Sequence, residues 1–144
     1  MHNAQGKLID GLACEVNITS AFKGEALAIL TACAMCDTLN LSKVEIEGDN
    51  KRAIKLSVSE DVPPWECPTI FADIRAMAQQ LVLTCRWCPR CANGAAHWAA
   101  RARLGGHLPV NWVASNLRYY QKRISLPTNN IFFFCHQCKR IPNR

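Results

Sequence analysis

The sequence predicts an α/β fold in which parallel strands are covered by helices. Three observations predict it. Strand-like and helix-like segments follow one another in the order β-α-β-α-α-β-α. Such alternation implies parallel pairing across helical connections. The first long helical segment is apolar on nearly every side, as a helix packed on a sheet is. Lys43-Val-Glu-Ile-Glu47 alternates with a period of two, the signature of a half-buried strand.

The elements follow in order. Lys7 to Val16 has β character behind a Gln5-Gly6 turn signal, and reads as the second arm of a hairpin whose first arm would precede Met1. Ser20-Ala-Phe-Lys-Gly-Glu25 opens the first helix, and Ala26, Leu27, Ile29, Leu30, Cys33, Ala34 and Leu39 supply its apolar positions. Asn40-Leu-Ser42 ends that helix. The strand at 43–47 stops at Gly48-Asp49-Asn50, and a short helix runs from Lys51 to about Val58. Pro63-Pro64 is a loop. A second good helix is expected from Trp65 to about Leu81, with Ile70, Ile74, Met77 and Leu81 near one face. Val82 to Trp87 reads as a strand, Pro89 to Asn93 as a turn, and Gly94 to about Leu104 as a small-residue helix. Beyond Gly105-Gly106 no period persists. Residues 1–105 are therefore expected to form one domain, and 106–144 a basic, poorly ordered tail.

Size and composition exclude several classes. A chain of 144 residues with 49% hydrophobic and 19% charged residues suits one globular domain. The longest apolar runs are about five residues, whereas a membrane helix needs about 20, so no membrane partner is expected. The opening residues lack the charged start and apolar stretch of a secretory leader. An intracellular place, nuclear or cytoplasmic, is expected, with the chain a monomer.

Charge is divided unevenly. Residues 1–73 hold 6 basic and 11 acidic residues, whereas residues 74–144 hold 11 basic residues and no acid. A basic half of this size suits an anionic partner, nucleic acid first; a solvated tail is the plainer alternative.

The nine cysteines are odd in number and lack a secretory context, so reduced thiols are the default. C-x-x-C spacings occur at Cys33/Cys36, at Cys85/Cys88 with Cys91 three further on, and at Cys135/Cys138. The gap between the last two is too long for a zinc ribbon, and the first lies inside a helical pattern where small thiols are usually core. No zinc is expected.

Two acids stand out by position. Glu25 lies near the start of the first long helix, and Asp49 at the exit of a strand. Ligands of parallel sheets bind beyond the carboxyl ends of the strands. Two facing carboxylates make a hard-oxygen site suited to Mg²⁺. The plainer reading makes Glu25 a favourable helix-start charge and Asp49 the cap of the next helix.

Four motifs then occur in order: Gly24-Glu25-Ala26-Leu27-Ala28-Ile29, Val44-Glu45-Ile46-Glu47-Gly48-Asp49-Asn50, Pro64-Trp65, and Pro89-Arg90-Cys91-Ala92-Asn93-Gly94-Ala95-Ala96-His97. Together they resemble the plant ribonuclease H-like domain, related to the ribonuclease H of retroelement reverse transcriptases. The resemblance covers about Gln5 to Leu104. It implies a mixed β-sheet flanked by helices, here lacking the first strand or strands. It also implies a family activity, the Mg²⁺-dependent cleavage of the RNA strand of RNA–DNA hybrids by four carboxylates, with Mn²⁺ as a substitute.

The resemblance places two of the four metal carboxylates on Glu25 and Asp49. The position of the fourth holds His97, and the first would lie upstream of this chain. Imidazole is a poor Mg²⁺ ligand, so impaired cleavage is expected. A non-catalytic nucleic-acid-binding or interaction module is the alternative. His97 remains a candidate for proton transfer. Arg86, Arg90, Arg101 and Arg103 are candidates for contact with the phosphates of RNA or a hybrid. Asn93 is expected to hold its loop by side-chain-to-backbone bonds. Trp65, Trp87 and Trp98 can stack on bases, but core packing is the expected role of all three.

Overall fold

The computed structural model describes residues 16, 18–41, 43–94, 98, 101–102 and 105–106. Within them the chain forms α1 (Ala21–Thr38), β1 (Lys43–Gly48), α2 (Lys51–Val58), α3 (Pro68–Gln80) and β2 (Val82–Trp87). Residues 94, 98, 101 and 102 are also helical, in line with the last predicted helix. Of the predicted opening strand only Val16 is described, and it is not in a strand. The predicted tail lies outside the described residues apart from Gly106.

β1 and β2 pair in parallel, from Lys43 opposite Val82 to Gly48 opposite Trp87. The connection between them runs through α2 and α3, and α2 packs on both strands. One face of the pair is apolar: Ile46 is buried, and Val44, Leu83 and Cys85 lie against the core. The other face carries Glu45, Glu47 and Arg86, and the guanidinium bridges both carboxylates.

α1 is the centre of the core, as its composition predicts. Every residue from Ala28 to Cys36 is buried, and the helix packs on α3, α2 and β1. Phe22 meets Phe71 with ring centroids 5.9 Å apart, within the range of favourable aromatic pairs. The hydroxyls that enter this apolar girth are satisfied locally. Thr31 donates to the Leu27 carbonyl at 2.8 Å and Thr38 to the Ala34 carbonyl at 2.8 Å.

Each end of α1 has a chemical cause. The Ser20 hydroxyl accepts from the Lys23 amide at 3.1 Å. It also donates to the Glu66 carboxylate at 2.6 Å, which Thr19 reaches at 3.2 Å. The cap is thereby tied to the loop before α3. At the other end Asn40 takes a positive φ of 53°. The Asn40 amide then reaches the Asp37 carbonyl, and the Leu41 amide the Cys36 carbonyl. This is the left-handed helix stop that glycine or asparagine permits.

Two expectations are corrected. α3 begins at Pro68 rather than at Trp65. Residues 64–67 instead close a turn, with the Cys67 amide on the Pro64 carbonyl at 2.9 Å. Pro68, with fixed φ and no N–H, suits the first helical position. The tryptophans are also not core: Trp65 is 91% exposed, Trp98 61% and Trp87 46%. Smaller groups fill the interior, led by Phe71, Met35 and Ile74.

Arg75 fastens α2 to α3. Its guanidinium donates to the Leu56 carbonyl at 3.1 Å and the Asp61 carbonyl at 2.8 Å. The Leu56 carbonyl lies in the last turn of α2, where intrahelical donors run out. Gly48 makes a second tight point, because a Cβ there would meet Ile54 Cδ1 at 3.1 Å and Cγ1 at 3.3 Å.

Two stability outcomes follow, both read by urea unfolding. Arg75→Met is expected to cost about 1.5–3 kcal/mol, the range for hydrogen bonds to a charged group. Gly48→Ala is expected to cost about 1 kcal/mol by overpacking. Combined with Ile54→Val it should cost less than the sum of the two single changes, because the crowding methyl is gone. Strict additivity would mean that Gly48 and Ile54 do not press on each other.

Candidate functional site

Because β1 and β2 run parallel and end together, their carboxyl ends share one edge. β1 turns at once into α2. The Asn50 side chain caps that helix, accepting from the Ala53 amide at 3.1 Å. Asp49 is thus not the cap, and the plainer reading of that residue is corrected. Its backbone is held from the side: the Trp87 indole N–H donates to the Asp49 carbonyl at 3.1 Å. One residue further, the Cys88 amide donates to the Gly48 carbonyl at 3.0 Å and extends the strand pairing.

Glu25 approaches from α1. It is the fifth residue of that helix, beyond its first turn. The favourable charge–dipole effect fades within that turn, so a helix-start role is corrected as well. Its carboxyl is pushed up from 4.5 to about 8, chiefly by burial, next by the nearby charge of Asp49, with Arg90 offsetting part. The charges of Asp49 and Arg90 therefore both bear on Glu25, although the three come from separate segments. Asp49 and Glu47 also raise the Cys88 thiol, after burial.

The remaining candidates are placed as follows. Arg90 sits in the turn after β2, closed by the Ala92 amide on the Pro89 carbonyl at 2.9 Å and the Asn93 amide on the Arg90 carbonyl at 3.2 Å. Asn93 is 7% exposed, and its Nδ2 has no hydrogen-bond partner among the described residues. The bonds described for this loop are main-chain ones. Arg86 is exposed and already engaged by Glu45 and Glu47. Arg101 is exposed on the last helix. His97 and Arg103 lie outside the described residues.

The cysteines are a separate matter. Burial pushes the Cys33 thiol up to about 12 and those of Cys36 and Cys85 up to about 11. Metal ligation needs the thiolate, which these surroundings oppose. Among the described residues no three or more His, Cys, Asp or Glu side chains are grouped to hold a metal ion.

At this edge sequence reasoning named Trp87 as one of three tryptophans able to stack on bases, with core packing expected, and did not single out Lys51. Lys51 places its ammonium 5.8 Å from the centroid of the Trp87 ring. The available signal was position: Lys51 follows the strand exit and Trp87 ends the neighbouring strand.

The raised Glu25 carboxyl has a measurable consequence. Between pH 4.5 and about 8 the folded chain keeps a proton that the unfolded chain has released. Stability therefore falls as pH rises through that window. Glu25→Gln, neutral throughout, is expected to flatten this slope and to melt above the wild type at about pH 9. Melting curves across the window check it; parallel curves for the two proteins would mean that the carboxyl is well solvated.

Among the described residues no helix is long and apolar enough to cross a membrane. A comparison with curated proteins finds no match. The family model described as reverse transcriptase-like matches residues 1–103. That is well over half of the 144 residues, and the chain belongs to this reverse transcriptase-like, RNase H-like family.

Proposed function

We propose that this chain is a nucleic-acid-binding RNase H-like domain. In this reading Glu25 and Asp49 hold one divalent cation, Mg²⁺ or Mn²⁺, and hydrolysis of the RNA strand of RNA–DNA hybrids is impaired. One observation carries the reading: in a member of this family, the charge of the acid at the exit of β1 raises a half-buried carboxyl from α1. Glu25 lies beyond the first turn of α1, and Asn50 rather than Asp49 caps α2.

The donor set fits a hard cation. Both groups offer carboxylate oxygens. The burial and like charge that raise Glu25 are both relieved by a positive ion between them. When bound, the cation supplies Lewis-acid stabilisation of a phosphoryl oxygen. The chain's own residues do the rest. Trp87 fixes the backbone of Asp49. Arg90, exposed and beside Glu25, is placed to meet a phosphate. Arg86 contributes less, because two carboxylates already neutralise it. His97 and Arg103 complete the proposed set.

A second reading, binding without cleavage, is favoured by one specific feature. With a pKa of about 8, Glu25 carries a proton near neutral pH, so a cation must displace it. Imidazole at position 97, where the metal-binding members carry a carboxylate, adds little affinity for Mg²⁺.

A labelled RNA–DNA hybrid tests both. Binding should weaken steeply with salt, because phosphate contacts release counterions. Slow cutting with Mg²⁺ or Mn²⁺ that Asp49→Asn abolishes, with binding intact or tighter, supports the first reading. Salt-sensitive binding with no cutting by either metal supports the second. Cutting that survives in Asp49→Asn moves the site elsewhere. Cation binding gives an independent readout. Mn²⁺ affinity, followed by its paramagnetic signal, should rise between about pH 6 and 9 as Glu25 loses its proton, and Glu25→Gln should weaken it and remove the pH dependence.

A further inference from the structure

We infer that Trp87 and Lys51 form a subsite for one unpaired nucleotide beside the Glu25–Asp49 pair. The indole face takes the base and the ammonium takes its phosphate. The inference rests on the nucleic-acid reading above and adds a substrate feature to it: a single-stranded nucleotide next to the duplex.

Three observations meet here. Trp87 is 46% exposed although it ends a strand whose neighbours lie against the core. Its one polar atom is already satisfied by the Asp49 carbonyl. That bond fixes the ring beside the proposed site and leaves only apolar, π-rich surface for a ligand. Lys51 stands over the ring at 5.8 Å, near the limit of a cation–π contact. It is exposed and has no carboxylate partner in any described ion pair, unlike Lys55, which pairs with Asp61, and Arg86. An oriented aromatic face next to an uncompensated ammonium matches the two parts of a nucleotide. Aromatic platforms of this kind bind bases of any identity, because every base has a π face. A base inside a duplex is already stacked, which is why the ligand is an unpaired one.

The experiment measures equilibrium binding of the whole chain to three labelled probes: an RNA–DNA hybrid, a single-stranded oligo-deoxythymidine, and an abasic strand of the same length. The wild type should prefer the base-bearing strand over the abasic one by about 5-fold or more. Trp87→Leu should abolish that preference, and Trp87→Phe, which keeps the face and loses the N–H, should retain it. Lys51→Gln should lower the salt slope by about one phosphate contact on both single strands. The subsite is overturned if the wild type shows no base preference, if Trp87→Leu keeps it, or if Trp87→Phe loses it while its melting curve is unchanged. The hybrid separates this outcome from failure of the broader reading. Salt-sensitive hybrid binding with no base preference removes the subsite alone, whereas absence of binding to every probe removes both.

Discussion

The parallel register that sets Gly48 opposite Trp87 is the constraint on which the rest of the structure depends. It makes two strands end at one place, so that Asp49, Trp87 and the turn carrying Arg90 share an edge. It also decides which side chains face the helices. A slip of β1 by one residue would turn Glu45 and Glu47 into the apolar layer and Ile46 out of it. Gly48 tightens the constraint, since α2 lies so close that even a methyl group would press on Ile54. The register thus stands between the sequence pattern and any chemistry at the strand ends.

Against that scaffold Glu25 is an anomaly. It interrupts the most buried of the described helices with a carboxyl that burial and a neighbouring acid both discourage from ionising. Neither an end-of-helix effect nor a cap explains it, because Ser20 and Asn50 perform the capping. A titratable group held in an unfavourable setting beside a specific charge partner is a candidate for function rather than for stability. The stabilising polar contacts lie elsewhere. Glu66 ties Ser20 and Thr19 to the loop before α3, and Arg75 ties α2 to α3.

What the sequence made legible was periodic. The alternation at 43–47 gave β1, and the apolar girth of residues 20–39 gave a helix buried on most sides, as found. Helix ends were read less well where long-range contacts set them. Trp65 looked like the opening of α3, because hydrophobicity does not show that Pro68 starts the helix after a turn. The tryptophans misled for a similar reason: size suggests burial, yet the interior between α1 and α3 is filled by Phe71, Met35 and Ile74. Of the site, Glu25 and Asp49 were visible through order and spacing. The partnership of Lys51 with Trp87 was not, since it depends on two segments 36 positions apart meeting at one strand end.

The charge division is reshaped by the fold in a way that bears on recognition. A count of cations along the chain treats all of them as surface available to phosphate. In the structure Arg75 is spent on backbone carbonyls, Arg86 on two glutamates, and Lys55 on Asp61. Arg52 lies over the Phe22 ring at 5.3 Å. Two cations at the shared edge escape such pairing among the described ion pairs: Lys51, over Trp87, and Arg90, beside Glu25. Among the described residues, these two cations therefore stand at the edge that carries Glu25 and Asp49. Negative and positive groups so close together repel and attract the same ligand. In the proposed reading, that balance suits an anion that arrives with a cation of its own, as a phosphodiester does in the presence of Mg²⁺.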